Sequence, residues 1–385
     1  MIYADYNGSA PLLPVVKEHL KRRLESDLFA NPNAIHSLGQ KVNKGIEKCR
    51  EIIATAVGCY PDQIIINSGA SEGISTVINS VISQAPREKK IILTSKIEHA
   101  AVLSALEHYS KNFGFEIKMI EVESNGKINL EHFYFLIEGF RKSIALVSIM
   151  AANNETGVIQ PYKEIASICK KEKIEYFSDT TQLIGKGNFN FLESGMDYAV
   201  CSGHKIGALT GSGFIIAKEP TKLVPLIFGK NQEKGLRGGT QNYLGIETLA
   251  IALQDFLENR EKLVDLQLAR ENFEREIMNK FPEVVILGGT TERLPGTTLI
   301  GYPGIHGQAV QIELESNDIF VTTSAACSDN QPETSDVLKS MNIDDQLGRS
   351  VIRISLSYSH GYKDYSILAQ NLTQAYNKLK KIHSF

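Results

Sequence analysis

Short β-branched runs alternate with amphipathic stretches through most of this 385-residue chain, and few architectures accept that alternation. The strand-like runs fall at 63–67, 90–94, 115–120, 144–149, 174–177, 198–201 and 213–217. Between them, apolar residues at helical spacing predict helices over 72–82, 99–109, 130–140 and 162–170. Strands interleaved with helices predict an α/β domain on a largely parallel sheet. Parallel strands are covered on both faces and should be apolar throughout. Ile64-Ile65-Ile66 and Ile91-Ile92-Leu93 meet that requirement.

The texture changes near Ile246. Ile246, Leu249, Ala250, Leu253 and Leu257 recur at helical spacing, and the pattern continues, rich in charge, towards Lys280. One long connecting helix is expected there. Beyond it, strands are expected at 284–287, 297–300 and 351–356, with helices near 308–314, 335–341 and 365–379. The expected division is a large α/β domain over 15–255 and a smaller α+β domain from 1–14 and 256–385. The 325–334 segment, rich in Ser, Asp, Asn, Gln and Pro, reads as an exposed loop.

Charge narrows the classes of function. Lys and Arg total 41 against 44 Asp and Glu, a net charge of −3, so no global field favours nucleic acid or an anionic membrane. No apolar run approaches the roughly 18 residues of a membrane span. The opening Met-Ile-Tyr-Ala-Asp-Tyr-Asn lacks a basic-then-apolar pattern, so a cytoplasmic location is expected. Cys49, Cys59, Cys169, Cys201 and Cys327 are odd in number and include no CxxC pair, which predicts reduced thiols. Cys201 and His204 have a metal-like spacing, but no second pair completes a tetrahedral site, and no metal is expected.

Residues capable of chemistry gather where strands end. Cys201-Ser202-Gly203-His204-Lys205 closes an apolar run. A lysine among small residues there can be desolvated, lowering its pKa from about 10.4 as a Schiff-base amine requires. Asn67-Ser68-Gly69-Ala70-Ser71-Glu72 follows a buried strand and opens a helix; Ser71 can cap it, and its N-terminal N–H groups can bind a phosphate. Glu98-His99, Asn153-Asn154-Glu155-Thr156-Gly157 and Asp179-Thr180-Thr181-Gln182 each follow a further strand. Ser71, His99, Asn154, Asp179 with Gln182, and Lys205 thus predict one site along the sheet's C-terminal edge.

The ordered series resembles the fold-type I pyridoxal-phosphate enzymes, and within them the cysteine desulfurases of the class V aminotransferase superfamily. The resemblance runs from Tyr3-Ala-Asp5-Tyr-Asn7 to Arg353-Ile-Ser355-Leu and includes Asn31-Pro-Asn-Ala-Ile-His36, Lys234-Gly-Leu-Arg-Gly-Gly-Thr240 and Ser324-Ala-Ala-Cys327. It implies that Lys205 holds pyridoxal 5'-phosphate covalently, that Asp179 pairs with the ring nitrogen, and that His99 stacks on the ring. Gln182 would donate to the phenolate oxygen, with Asn154 contacting cofactor or substrate. The phosphate would rest on Ala70, Ser71, Ser202 and His204. Thr240 would reach the neighbouring subunit's phosphate, implying a homodimer, and Arg353 would bind the substrate carboxylate with its fork.

Cys327 is what the resemblance makes specific. Its thiolate would take sulfur from L-cysteine, leaving L-alanine and a persulfide for an acceptor such as an iron–sulfur scaffold protein. The other cysteines read as small core residues. Several positions depart from the family pattern: Asn7-Gly8-Ser9-Ala10 replaces an alanine and two threonines after the asparagine, Ser71 replaces threonine, Ser324-Ala-Ala-Cys327 replaces Ser-Gly-Ser/Ala-Cys, and Ser357 replaces glycine. Competing readings are a selenocysteine lyase, another class V aminotransferase, and a partner-binding subunit without turnover.

Overall fold

A computed structural model describes residues 1–26, 29–323 and 333–382; Cys327 lies outside the described residues. The strands are β1 (Ile2–Tyr3), β2 (Ile64–Asn67), β3 (Ile91–Ser95), β4 (Glu116–Ile120), β5 (Ile144–Ser148), β6 (Glu175–Asp179), β7 (Tyr198–Ser202), β8 (Gly213–Ala217), β9 (Val285–Leu287), β10 (Thr297–Gly301), β11 (Ile319–Phe320) and β12 (Val351–Ser355).

The seven runs expected as strands form one seven-stranded sheet in the order β2-β8-β7-β6-β5-β3-β4. Only β8 runs against its neighbours, pairing antiparallel with both β2 and β7. β2, β3, β5, β7 and β8 are buried along their whole length, as strands covered on both faces must be. The edge strand β4 instead carries exposed Glu116 and half-buried Lys118, charges that discourage pairing with another chain.

Ile65, Ile92, Leu146 and Val200 pack beneath the helices Ala70–Gln84 and Ala100–Phe113. The opposite face buries Ile64, Leu93, Val147 and Ala199 against a larger core that includes Ile46, Ile165 and Leu249. A separate core gathers Ile2, Ala4, Phe256, Phe273, Ile354 and Tyr376 around the sheet β12-β10-β9. The N-terminal segment belongs to that second core through β1, which pairs parallel with β11.

The expected single connecting helix is two helices, Tyr243–Asn259 and Lys262–Lys280. The first buries Ile246, Leu249 and Leu253 in the core around the large sheet, and the second buries Leu266, Phe273 and Ile277 in the other. A break at Arg260 and Glu261 lets the apolar face change cores. Among the described residues, no helix is long and apolar enough to cross a membrane.

Candidate active site

Strand ends place the expected residues along one edge of the sheet. Asn67 at the end of β2 and Ser202 at the end of β7 both pair with Gly213, the first residue of β8. Gly213 must be glycine: a Cβ there would stand 2.5 Å from the Cys201 carbonyl and 2.6 Å from Gly69 Cα. This close approach brings the start of the helix Ala70–Gln84 beside Ser202, whose Oγ lies 3.4 Å from where a Gly69 Cβ would be. Asp179 ends β6, the strand next to β7, while Asn154 and His99 follow β5 and β3.

Gly69, not Ser71, is the N-cap of that helix, at φ 149°, and it supplies no capping side chain. Ser71 lies inside the first turn and is exposed. The correction favours an anion: without a cap, the N–H groups of Ala70 and Ser71 have no intrahelical acceptor and face outward with the positive end of the helix dipole. His204, half-buried, meets Ser9 Oγ through Nδ1 at 3.2 Å. Burial, with Lys205 and Lys186 nearby, lowers its pKa to about 4, so the ring is neutral at pH 7.

Asp179 is 8% exposed, and one carboxylate oxygen accepts a 3.0 Å bond from the Thr181 N–H. Buried Glu98 lies close enough to feel it. Burial first, and Asp179 second among the raising effects, lift Glu98 to about pH 8, although it accepts from Met150 N at 2.8 Å and Ser95 Oγ at 3.3 Å. Raised above 4.5, this carboxyl favours the folded state most at low pH, and the contribution drains away as pH rises towards 8. Glu98→Gln should therefore match wild-type stability near pH 4.5 and exceed it increasingly up to pH 8, as read by denaturant unfolding of the cofactor-free protein. An unchanged difference across that range would refute the assignment.

His99 is exposed and caps the helix Ala100–Phe113, its Nδ1 accepting from Ala101 N at 3.1 Å. The cap fixes one ring nitrogen as acceptor and holds the imidazole in place. The Lys205 amine donates to the carbonyls of Asn7 at 2.9 Å and Gly8 at 2.5 Å. Gln182 is buried and donates through Nε2 to that same Asn7 carbonyl at 3.0 Å. Arg353 donates to the Asn154 carbonyl at 2.9 Å and to Asp5 Oδ1 at 2.6 Å, and its buried Nε finds no partner among the described residues.

Thr240 stands apart, exposed, on a segment tied down at two points. Buried Glu233 takes Arg50 bidentately at 2.8 and 3.0 Å, and Arg237 pairs with Glu72 in the first turn of the helix Ala70–Gln84. Glu233 and Lys234 both adopt left-handed backbone, φ 46° and 56°, a strain the Arg50 pair holds in place. Asn7 and Lys186, neither of them among the residues expected here, are also bonded into the site, Lys186 standing four residues after Gln182.

The four described cysteines are poorly suited to act as nucleophiles. Burial pushes the thiols of Cys49 to about 11 and of Cys59 and Cys201 to about 12, and Cys169 higher still.

The residues fit pyridoxal phosphate on the chemistry of the donor set. An uncapped helix start beside Ser202 suits a phosphate, the buried Asp179 carboxylate suits a protonated ring nitrogen, and the Lys205 amine suits covalent attachment.

A sheet edge of this composition is that of a fold-type I pyridoxal-phosphate enzyme, and residues 2–366 match the family profile described as aminotransferase class-V. The chain belongs to that family. It is 32% identical over 388 residues to the cysteine desulfurase IscS of Dictyoglomus turgidum, covering 100% of this chain and 96% of that one. Among solved structures it is similar to a NifS-like protein at TM-score 0.89 and 31% identity, covering 98% and 100% of the two chains. SspA in complex with cysteine matches at TM-score 0.80 and 28% identity, covering 93% and 99%.

Proposed function

We propose that the protein is a homodimeric cysteine desulfurase that uses pyridoxal phosphate to take sulfur from L-cysteine, releasing L-alanine and leaving a persulfide on Cys327. The observation that carries this reading is the convergence of Lys205, Asp179 and the uncapped helix start on one sheet edge. Relatives that are cysteine desulfurases over nearly their full length support it. So does a structural relative solved with cysteine. The assignment of 15–255, and of 1–14 with 256–385, to two domains belongs to the same proposal.

Bound pyridoxal phosphate supplies the electron sink that makes the substrate Cα–H acidic. The chain supplies the rest. The first-turn N–H groups of Ala70 and Ser71, with Ser71, Ser202 and His204, would hold the phosphate, and Thr240 would reach the phosphate of the other subunit. Asp179 would keep a proton on the ring nitrogen, and His99 would pack against the ring. The Lys205 amine moves the proton at the substrate Cα. Cys327 Sγ attacks the substrate sulfur, so one sulfur passes from L-cysteine to the thiol and the reaction balances as alanine plus persulfide. A sulfur-acceptor protein, such as an iron–sulfur scaffold, then takes the persulfide sulfur.

The test mixes purified protein with L-cysteine and a thiol reductant, then measures alanine and sulfide. Equal amounts of each are expected; no alanine would overturn the reading. Arg353 binds the substrate carboxylate through its fork, in exchange for part of its present bonding to Asp5. Arg353→Gln should raise KM for L-cysteine roughly 30- to 150-fold, corresponding to about 2–3 kcal/mol for a lost charge-assisted pair, with a smaller change in kcat. An unchanged KM would remove Arg353 from substrate binding.

A further inference from the structure

Lys186 has no part in the proposed chemistry, yet its amine sits among residues that do. It donates to Gln182 Oε1 at 2.6 Å, to Asn7 Oδ1 at 3.1 Å and to the Tyr6 carbonyl at 3.1 Å. Three acceptors match the three N–H groups of an ammonium. An ammonium has no lone pair and can only donate, so it fixes the oxygen end of the Gln182 amide and sends Nε2 the other way. Nε2 then donates to the Asn7 carbonyl, the acceptor that also receives Lys205 Nζ at 2.9 Å.

Asn7 cannot shift to accommodate a change. It is 2% exposed, its N–H donates to Ser355 Oγ at 2.9 Å, and Nδ2 donates to Thr297 Oγ1 at 3.0 Å and the Asn154 carbonyl at 3.2 Å. The charges around Lys186 are mixed. Burial first, then Lys205 and Arg353, push it well below the usual lysine range, while Asp5 opposes them and the three acceptors at 2.6, 3.1 and 3.1 Å favour the ammonium form. His204 also lies within reach of its charge.

We infer that Lys186 is a positioning residue for the reaction, locking the Gln182 amide and the Asn7 carbonyl that together set where the Lys205 amine rests. The inference rests on the proposed pyridoxal-phosphate chemistry and assigns Lys186 no contact with substrate.

The experiment compares Lys186→Met, Gln182→Ala and the double variant in the full chain. Its readouts are the pyridoxal-phosphate dissociation constant from reconstitution and the midpoint pH of the bound cofactor's visible band. Lys186→Met should weaken cofactor binding about tenfold and raise the midpoint by about one pH unit, because a neighbouring positive charge is gone. In the double variant it should add less than about twofold to the effect of Gln182→Ala, since one lock is being removed twice. Wild-type values in Lys186→Met, or effects that multiply in the double variant, would overturn the inference.

Should Lys186→Met not fold, Lys186→Gln keeps one donor for the Gln182 oxygen while losing the charge. It should raise the midpoint but hold cofactor affinity within about threefold of wild type; a loss as large as that of Gln182→Ala would overturn the lock. Absence of alanine from wild type, with these shifts intact, removes the desulfurase reading and leaves the positioning role. Alanine formation with a wild-type-like Lys186→Met does the reverse, and failure of wild type to bind the cofactor overturns both.

Discussion

Lys205→Ala should lose alanine formation by about a thousandfold or more and retain no covalently attached cofactor after borohydride reduction. Two contributions disappear together. The amine that would anchor pyridoxal phosphate is gone, and so is the base that would move the Cα proton, whose typical worth is about 10²–10⁴-fold. The fold should survive. Lys205 is only half-buried, and its amine bonds to the backbone carbonyls of Asn7 and Gly8. Peptide mapping of the reduced wild type should locate the pyridoxyl group at residue 205. Its appearance at Lys186, the other amine bonded to the Asn7 segment, would reassign the attachment point.

Cys327→Ala should keep cofactor absorbance and affinity while losing sulfide and alanine by on the order of a thousandfold, as expected when a nucleophile is removed. The loss should not be made good by another thiol. Of the other four cysteines, Cys169 and Cys201 are buried, and all four have thiol pKa values raised by burial. Mass spectrometry after a cysteine pulse without reductant should find an added sulfur on the peptide containing residue 327. Full alanine production by Cys327→Ala would show that sulfur leaves without this thiol, which is the behaviour of a lyase or an aminotransferase.

The strands of the large sheet are legible because strands covered on both faces must be apolar throughout, as Ile91-Ile92-Leu93 is in the parallel β3; Ile64-Ile65-Ile66 obeys the same rule although β2 pairs antiparallel with β8 rather than in parallel as expected. Strand ends were less so: β6 runs to Asp179, two residues further than expected, because its end is polar yet buried. The cap of the helix Ala70–Gln84 is Gly69 rather than the expected Ser71, because hydroxyl residues usually take that role and an uncapped glycine looks in sequence like any other turn. The helix Ser37–Val57 is not among the expected elements although Val42, Ile46, Ile53 and Val57 lie on one face. Arg50 interrupts that face, and its buried partner Glu233 is remote in the chain. The roles of Asn7 and Lys186 were hidden for a similar reason, because Asn7 finds its acceptors and donors on Asn154, Gln182, Lys186, Thr297 and Ser355.

The pairing of Asp5 with Ser355, and the Asn7–Ser355 bond across 348 residues, impose an order on how the protein is made. A ribosome releasing the chain from its N-terminus lets the large sheet fold first, but the opening residues complete their docking only when β11 and then β12 emerge. Until then the Asn7 carbonyl that receives Lys205 and Gln182 lacks its anchor on Ser355. Cofactor capture is therefore a late event in biosynthesis, and a chain truncated before residue 351 should emerge as a folded sheet with an unfinished catalytic floor.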